Sequence, residues 1–598
     1  MKLHDYVASF LAARGAELIF ALSGASNLRI LDAITRHPTL RYVCPHHEQA
    51  GAMAALTYHR LSGRPAVMVV TAGPGATNVI TGVASAHLDS VPLILIAGQE
   101  KSEYLRASNH CRGKGVQGLE MVEVVRPITK LAIRLESPGE VRRVLEQAYH
   151  VANHGRKGPV WVEIPQDLQS AEINPEQLER FTPPADLEVD YPDAAKKLLS
   201  MLAAAERPLL WAGHGIRLAK AEQEFRAVLE ALHVPTLIAW NGADLIEDSH
   251  PLYAGRAGTY GQRAANFALQ NCDLLVALGT RLAIPQRGYV ASEFARAAKK
   301  VVVEVDPAEL AKFEIPPDLA VLGDVGRFLE EVSFQLKGRA THPAAVVWAA
   351  RCQQWRRRYP PVTEEHRSAP PGRINSYDFI DQLSDALGPD DVIVTDMGTS
   401  LTCTHAALRL KKGQRLVTST GLGEMGFGLP GAIGAALGAP GRRVVFIGVE
   451  GSLMMNIQEL QTVIHHQLPL KIFILNNNGY LTIKHTERAL FGDRLTACSP
   501  ETGVTFPDLD KVARAYGFTT MRIDNTKTCS ALIRQALDSP GAVFCDVKMP
   551  EDQLLGPKTA VKIKPDGSIV SPPLEDLFPF LSREELASNM LIPLLPEA

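Results

Sequence analysis

One stretch, residues 444–486, limits what this chain can fold into more than any other. Two short apolar runs, VVFIG and LKIFIL, bracket a segment that suits a helix over about 456–466. Apolar runs this short and continuous are strands buried on both faces, as in a parallel sheet covered by helices. A strand–helix–strand unit has parallel strands and a right-handed crossover. Loops at the C-terminal ends of such strands are where open α/β sheets bind ligands. The first loop carries Glu450, Gly451 and Ser452, and the second carries Asn477 and Gly479. A carboxylate, an amide oxygen and a backbone carbonyl are hard donors, suited to Mg2+ holding a diphosphate.

The same alternation recurs along all 598 residues. Over 1–175 an amphipathic opening helix, with Tyr6, Val7, Phe10 and Leu11 on one face and Gly15 near its end, leads into ELIFAL, AVMVVT and LILIAG. Over 190–340 come RPLLWAG, DLLVALGT and KVVVEVD, and over 374–548 comes the domain that holds the opening stretch. Linkers rich in proline and acids separate the three, and a proline-rich tail of little periodicity, 549–598, closes the chain. The expected fold class is α/β, with three consecutive doubly wound parallel-sheet domains, since one core cannot serve a chain this long.

A net charge of −3 leaves no basic footprint for a nucleic acid. No apolar run reaches membrane-spanning length. The opening helix is interrupted by Asp5, Ser9 and Arg14, unlike a signal peptide. Eight cysteines without a CxxC pair read as reduced thiols in a cytoplasmic protein.

The 444–486 stretch resembles the metal–diphosphate motif of thiamine diphosphate (ThDP) enzymes, GDGS followed by NN. Its continuation, MNIQELQTVIHHQLPLKIFILNN, is close to the acetolactate synthase pattern. Val449 and Glu450 stand where the motif has Gly and Asp; glutamate keeps the carboxylate and adds a methylene. The resemblance spans nearly the whole chain. It implies a pyrimidine-binding domain, a central domain and a diphosphate-binding domain, the first and third alike. It also implies metal ligands at Glu450, Asn477 and the Gly479 carbonyl, and diphosphate contacts from Gly451, Ser452 and the DMGTS residues Gly398, Thr399 and Ser400.

Other motifs carry the resemblance into the first domain. Glu48, in PHHEQAGAMAALTYHR, starts a helix rich in small residues, which puts a partly buried carboxylate at a helix N-terminus. The resemblance implies that it hydrogen-bonds the aminopyrimidine ring and so promotes loss of the cofactor's C2 proton. Gly73, Pro74 and Asn78, in TAGPGATN, match a phrase that lines the site, with Asn78 expected to cap the next helix. Gln117 keeps the family's spacing to Arg126 and is expected near the substrate-derived oxygen. Val116 and Gly118 replace a Phe and a Glu there, and Val116 is expected to enlarge the pocket.

In the third domain Gly423 and Met425, in GLGEMGFGLPG, match the segment whose apolar residue wedges between the cofactor rings, a positioning effect. Ile483 stands where pyruvate decarboxylases have an acid, and Thr486 where acetolactate synthases have a Trp that selects 2-ketobutyrate. In the central domain Gly213, Gly215, Arg256, Gly279, Thr280, Arg281 and Asp306 are compatible with a non-redox FAD, although RLAIPQR replaces the usual acidic pair after Arg281.

These readings point to a ThDP- and Mg2+-dependent carboligase. It would decarboxylate a 2-oxo acid, pyruvate first among them, and transfer the activated aldehyde unit to a carbonyl acceptor. The tail and Val116 hint at an acceptor bulkier than pyruvate. A non-ligating decarboxylase or C–C lyase is the alternative, and a non-catalytic ThDP-fold protein is another. The resemblance implies a homodimer or dimer of dimers, with each cofactor between subunits.

Overall fold

A computed structural model describes all residues except 107–111, 114, 339–341, 561, 564–568 and 596–598. Its framework is three six-stranded, wholly parallel sheets. The first contains β1 (Leu18–Ala21), β2 (Arg41–Val43), β3 (Ala66–Val70), β4 (Leu93–Gln99), β5 (Leu131–Arg134) and β6 (Val160–Pro165), in spatial order β2-β1-β3-β4-β6-β5. The second contains β7 (Pro208–Ala212), β8 (Thr236–Ile238), β9 (Tyr253–Gly255), β10 (Leu274–Leu278), β11 (Lys299–Glu304) and β12 (Leu319–Leu322), ordered β12-β11-β10-β7-β8-β9. The third contains β13 (Val392–Thr395), β14 (Arg415–Val417), β15 (Val444–Val449), β16 (Lys471–Asn476), β17 (Thr519–Ile523) and β18 (Val543–Lys548), ordered β14-β13-β15-β16-β18-β17.

The first and third sheets share one strand order, and the central sheet has the order of dinucleotide-binding folds. In each, the order reverses between two central strands. These are β1 and β3, β7 and β10, and β13 and β15. Crevices open beyond the C-terminal ends of such strand pairs. The strands qualify because they are buried on both faces: every residue of β3, β4, β15 and β18 except Lys548 is shielded from solvent.

Two long parallel helices join the first and third sheets. Glu48–Ser62 and Gly428–Gly438 pack so closely that a methyl on Gly434 would lie 2.0 Å from the Ala54 carbonyl oxygen, and one on Gly438 would lie 2.8 Å from that of Tyr58. Small residues on both helices allow this approach, and it sets their N-termini, with Glu48 and the Met425 loop, at the same end of the pair.

One expectation needs correction. The helix expected over 456–466 is shorter, Glu459–His465, and a separate short helix, Glu450–Leu453, precedes it; Asn456 lies between them with its amide on the Gly426 carbonyl (2.8 Å). The proline-rich tail packs against the central domain. Leu574, Leu577 and Leu586 are buried, Asn266 and Gln270 of the central domain bond Leu574 and Glu575, and Trp355 bonds Asn589. A tail held this way gives no support to the bulkier acceptor. No helix among the described residues is long and apolar enough to cross a membrane.

Candidate active site

The third sheet builds the most distinctive group. Val449 of β15 pairs with Leu475 of β16, so the loops leaving these strands lie side by side. Glu450 is completely buried, and its Oε1 accepts the backbone N–H groups of Asn477 and Gly479, both at 3.0 Å. Its Oε2 and the Asn477 Oδ1 are also buried, and neither has a partner. Burial pushes the Glu450 carboxyl up to about 7, against the two N–H groups that favour its charge. Two oxygen donors left without hydrogens in a dry site suit a hard cation such as Mg2+, which would restore the carboxylate's charge. Gly479 is held beside them: a methyl there would meet the Cys498 carbonyl at 2.6 Å.

Across the switch point from β15, Gly398 follows β13 with φ +87°, a backbone open to glycine, and starts the helix Thr399–Ala407. Thr399 is buried, and Ser400 donates to the Asp396 carbonyl (3.0 Å). Gly451 lies under the Tyr480 ring, 2.2 Å from where its side chain would begin. Ser452 accepts from the Gly426 backbone N–H (2.8 Å). Ser400 thus donates its hydroxyl to the start of its own helix, and Ser452 uses an oxygen lone pair on the loop before Gly428. Ser452 anchors the loop that carries Met425, and Asn456 anchors the same loop from the Gly426 carbonyl side. Gly423 has φ +74° and lies over the Met397 methyl, while Met425 itself is half-buried.

In the first domain Glu48 begins its helix, with His47 as the N-cap accepting from the Gln49 N–H. The carboxylate is 6% exposed and accepts from the Asn78 amide at 3.0 Å. Asn78 therefore orients Glu48 and does not cap the following helix, whose N-cap is Val79. Gly73 has φ +64°, and a side chain there would strike the Gln117 backbone at 2.8 Å. Pro74 starts the short helix Pro74–Asn78. Gln117 is exposed and tied through its N–H to Glu100 (3.1 Å), and Val116 is 91% exposed, so in one chain Val116 walls no pocket. Ile483 is 46% exposed, and Thr486 turns its hydroxyl back to the Thr482 carbonyl.

Among the described residues no hydrogen bond links Glu48 to Glu450, Asn477 or Met425. The first and third domains meet along the Glu48–Ser62 and Gly428–Gly438 helices and through Glu459, whose carboxylate accepts the His46 N–H (3.0 Å) just ahead of Glu48. Sequence reasoning missed Glu459, Asn456 and the buried Asp396, which burial pushes up to about 6. Asn456 and Asp396 carried a signal, a polar residue directly after or before methionine at a strand end or loop; Glu459, with Gln458 and Gln461 close by, carried none.

A cavity of about 570 Å³ opens at the switch point of the central sheet, lined by Gly215, Gly279, Thr280, Arg281, His214 and Asn241 among others. Both ring nitrogens of His214 and the Asn241 Oδ1 are buried there without partners. Gly213 lets β7 approach β10, its missing side chain 2.2 Å from the Gly279 carbonyl. Arg256 does not belong to this cavity. It is buried between Asp248 (2.7 Å) and the carbonyls of His405 and Leu408 in the third domain. Asp306 caps the helix Pro307–Ala311 and pairs with Arg156.

Fold and site together are those of a three-domain α/β enzyme with ligand crevices at its switch points. The chain matches the thiamine pyrophosphate enzyme N-terminal TPP binding domain over 1–121, the central domain over 195–332 and the C-terminal TPP binding domain over 396–547. It is 33% identical over 578 residues to the acetolactate synthase isozyme 2 large subunit of Escherichia coli (strain K12), covering 96% of this chain and 99% of that protein. It is 33% identical over 552 residues to the acetolactate synthase large subunit of Parasynechococcus marenigrum (strain WH8102), covering 89% and 85%. The chain belongs to the thiamine pyrophosphate enzymes, in their acetolactate synthase-like family.

Proposed function

We propose that this protein is a ThDP- and Mg2+-dependent carboligase that removes CO2 from pyruvate and transfers the remaining two-carbon unit to a carbonyl acceptor. The observation that carries the reading is the Glu450–Asn477–Gly479 group. It offers two buried oxygens without partners at the strand ends of a domain whose family binds ThDP. Glu450, Asn477 and the Gly479 carbonyl would hold the cation. Gly398 and Thr399 would border the diphosphate, and Met425 would press against the rings. Bound ThDP supplies the electron sink for decarboxylation. Glu48, oriented by Asn78, holds the proton that the pyrimidine exchanges, and Gln117 lies on the loop over Gly73 beside it.

In this reading the working unit is a cytoplasmic homodimer or dimer of dimers, with each cofactor between subunits, as the resemblance to the acetolactate synthase-like family implies. The central cavity is the proposed seat of FAD, with Gly279, Thr280 and Arg281 along it. The apolar Ile483 favours transfer over simple aldehyde release, since it offers no proton to quench the carbanion. Incubation with ThDP, Mg2+, carbon-13 pyruvate and a panel of aldehydes, ketones and keto sugars tests the proposal. A labelled product heavier than the acceptor by a two-carbon unit supports it, and labelled acetaldehyde alone with every acceptor overturns it.

A further inference from the structure

Directly before Met425 stands Glu424, whose carboxyl the reaction described above does not use. Its Oε2 accepts from the Ser419 hydroxyl at 2.8 Å, and the Ser419 oxygen lies 3.1 Å from that of Ser85. Ser85 belongs to the helix Ile80–Leu88 of the first domain. Glu424 is half-buried as a residue, but its Oε1 is sealed from solvent and has no partner. A second carboxylate lies close by. Asp89, at the end of that helix, accepts from the Gly421 N–H (2.9 Å) and the Asn241 amide (2.8 Å).

Asp89 is approached by three neutral donors, the Asn241 amide, the Gly421 N–H and the Ser419 hydroxyl that it shares with Glu424, and the half-buried Arg60 on the Glu48 helix faces it. Arg281 bonds the Leu88 carbonyl (3.2 Å) and pairs with Glu309 (3.3 Å). Glu424 has hydroxyl donors on one oxygen, no cation, and the charge of Asp89 nearby. A buried carboxylate in that setting is disfavoured and a carboxylic acid is favoured. Burial, with Asp89 adding to it, pushes the group up to about 7.

We propose that Glu424 is a positioning residue for Met425: its neutral carboxyl seats the 418–427 loop on Ser85 and Ser419, and its ionisation loosens that loop. The inference rests on the reading of Met425 as the cofactor-facing residue, but its test needs no cofactor. A group with a raised folded-state pKa stabilises the fold only while protonated. Wild type should therefore lose stability relative to Glu424→Gln, an isostere of the acid, as pH rises from about 4.5 through about 7.

Two measurements on cofactor-free protein follow. The difference in Tm, Glu424→Gln minus wild type, should grow between pH 5 and pH 8. Hydrogen–deuterium exchange over 418–427, corrected for the intrinsic pH dependence, should speed up across that interval in wild type and stay flat in the variant. A constant Tm difference, or the same exchange profile in both proteins, overturns the proposal. Should Glu424→Gln not fold, Ser419→Ala takes its place. It removes the donor to Glu424, so it should speed exchange over 418–427 already at pH 6, and unchanged exchange there refutes the idea. ThDP binding can fail while these effects hold, and the reverse, so this inference and the proposed function fall separately.

Discussion

Replacing Glu450 with Gln separates the cation site from the packing around it. Gln keeps an oxygen where Oε1 accepts the Asn477 and Gly479 N–H groups, and it removes the charge and one of the two partnerless oxygens. The cofactor-free variant should therefore fold with near-wild-type stability. Glu450→Ala differs, because it leaves both N–H groups buried and unpaired at about 1–3 kcal/mol each. In wild type, ThDP with Mg2+ at a hundred times its Kd adds about 2.7 kcal/mol. For a unit the size of the third domain, that raises Tm by roughly 5–10 °C. Differential scanning calorimetry with and without Mg2+ and ThDP reads the effect. Wild type should shift by that amount and Glu450→Gln by far less. An equal shift in both proteins would falsify the assignment of Glu450 to the cation.

Glu48→Gln should retain ThDP but slow hydrogen–deuterium exchange at its C2 by roughly 10²–10⁴-fold, as loss of an acid–base group does; quench-flow NMR would settle it, and wild-type exchange would redirect attention to His47 or Gln117. Gly434→Ala, which in an ordinary helix stabilises, should here lower stability by about 1–3 kcal/mol in thermal unfolding, because the new methyl meets the Ala54 backbone at 2.0 Å. An increase in Tm would show that the two helices can part without cost.

The three sheets were legible because their strands are short, β-branched and buried on both faces, a pattern that depends on local sequence alone. The Glu450 group was legible for a related reason: its donors lie on two loops joined by one strand–helix–strand unit. Interactions between residues on different elements were not. Arg256 was grouped with the flavin residues because it lies among glycine-rich strand ends, yet docking of the third domain turns it to Asp248 and two carbonyls. Asn78 obeys the local rule for an N-cap, but the Glu48 carboxylate, 30 residues earlier, offers a stronger, charge-assisted bond. The tail has weak periodicity because its helix Arg583–Asn589 is packed by partners more than 200 positions away, such as Trp355. In each case the deciding partner is remote in sequence, so no window of sequence contains it.

The central claim is that decarboxylation is coupled to carbon–carbon bond formation. The ratio of ligated product to CO2 released, measured from pyruvate over a range of acceptor concentrations, tests it most directly. The account predicts a ratio that rises to one product per CO2 at saturating acceptor, with slow CO2 release when acceptor is absent. Rapid CO2 release that ignores the acceptor, with free aldehyde as the end product, would contradict it.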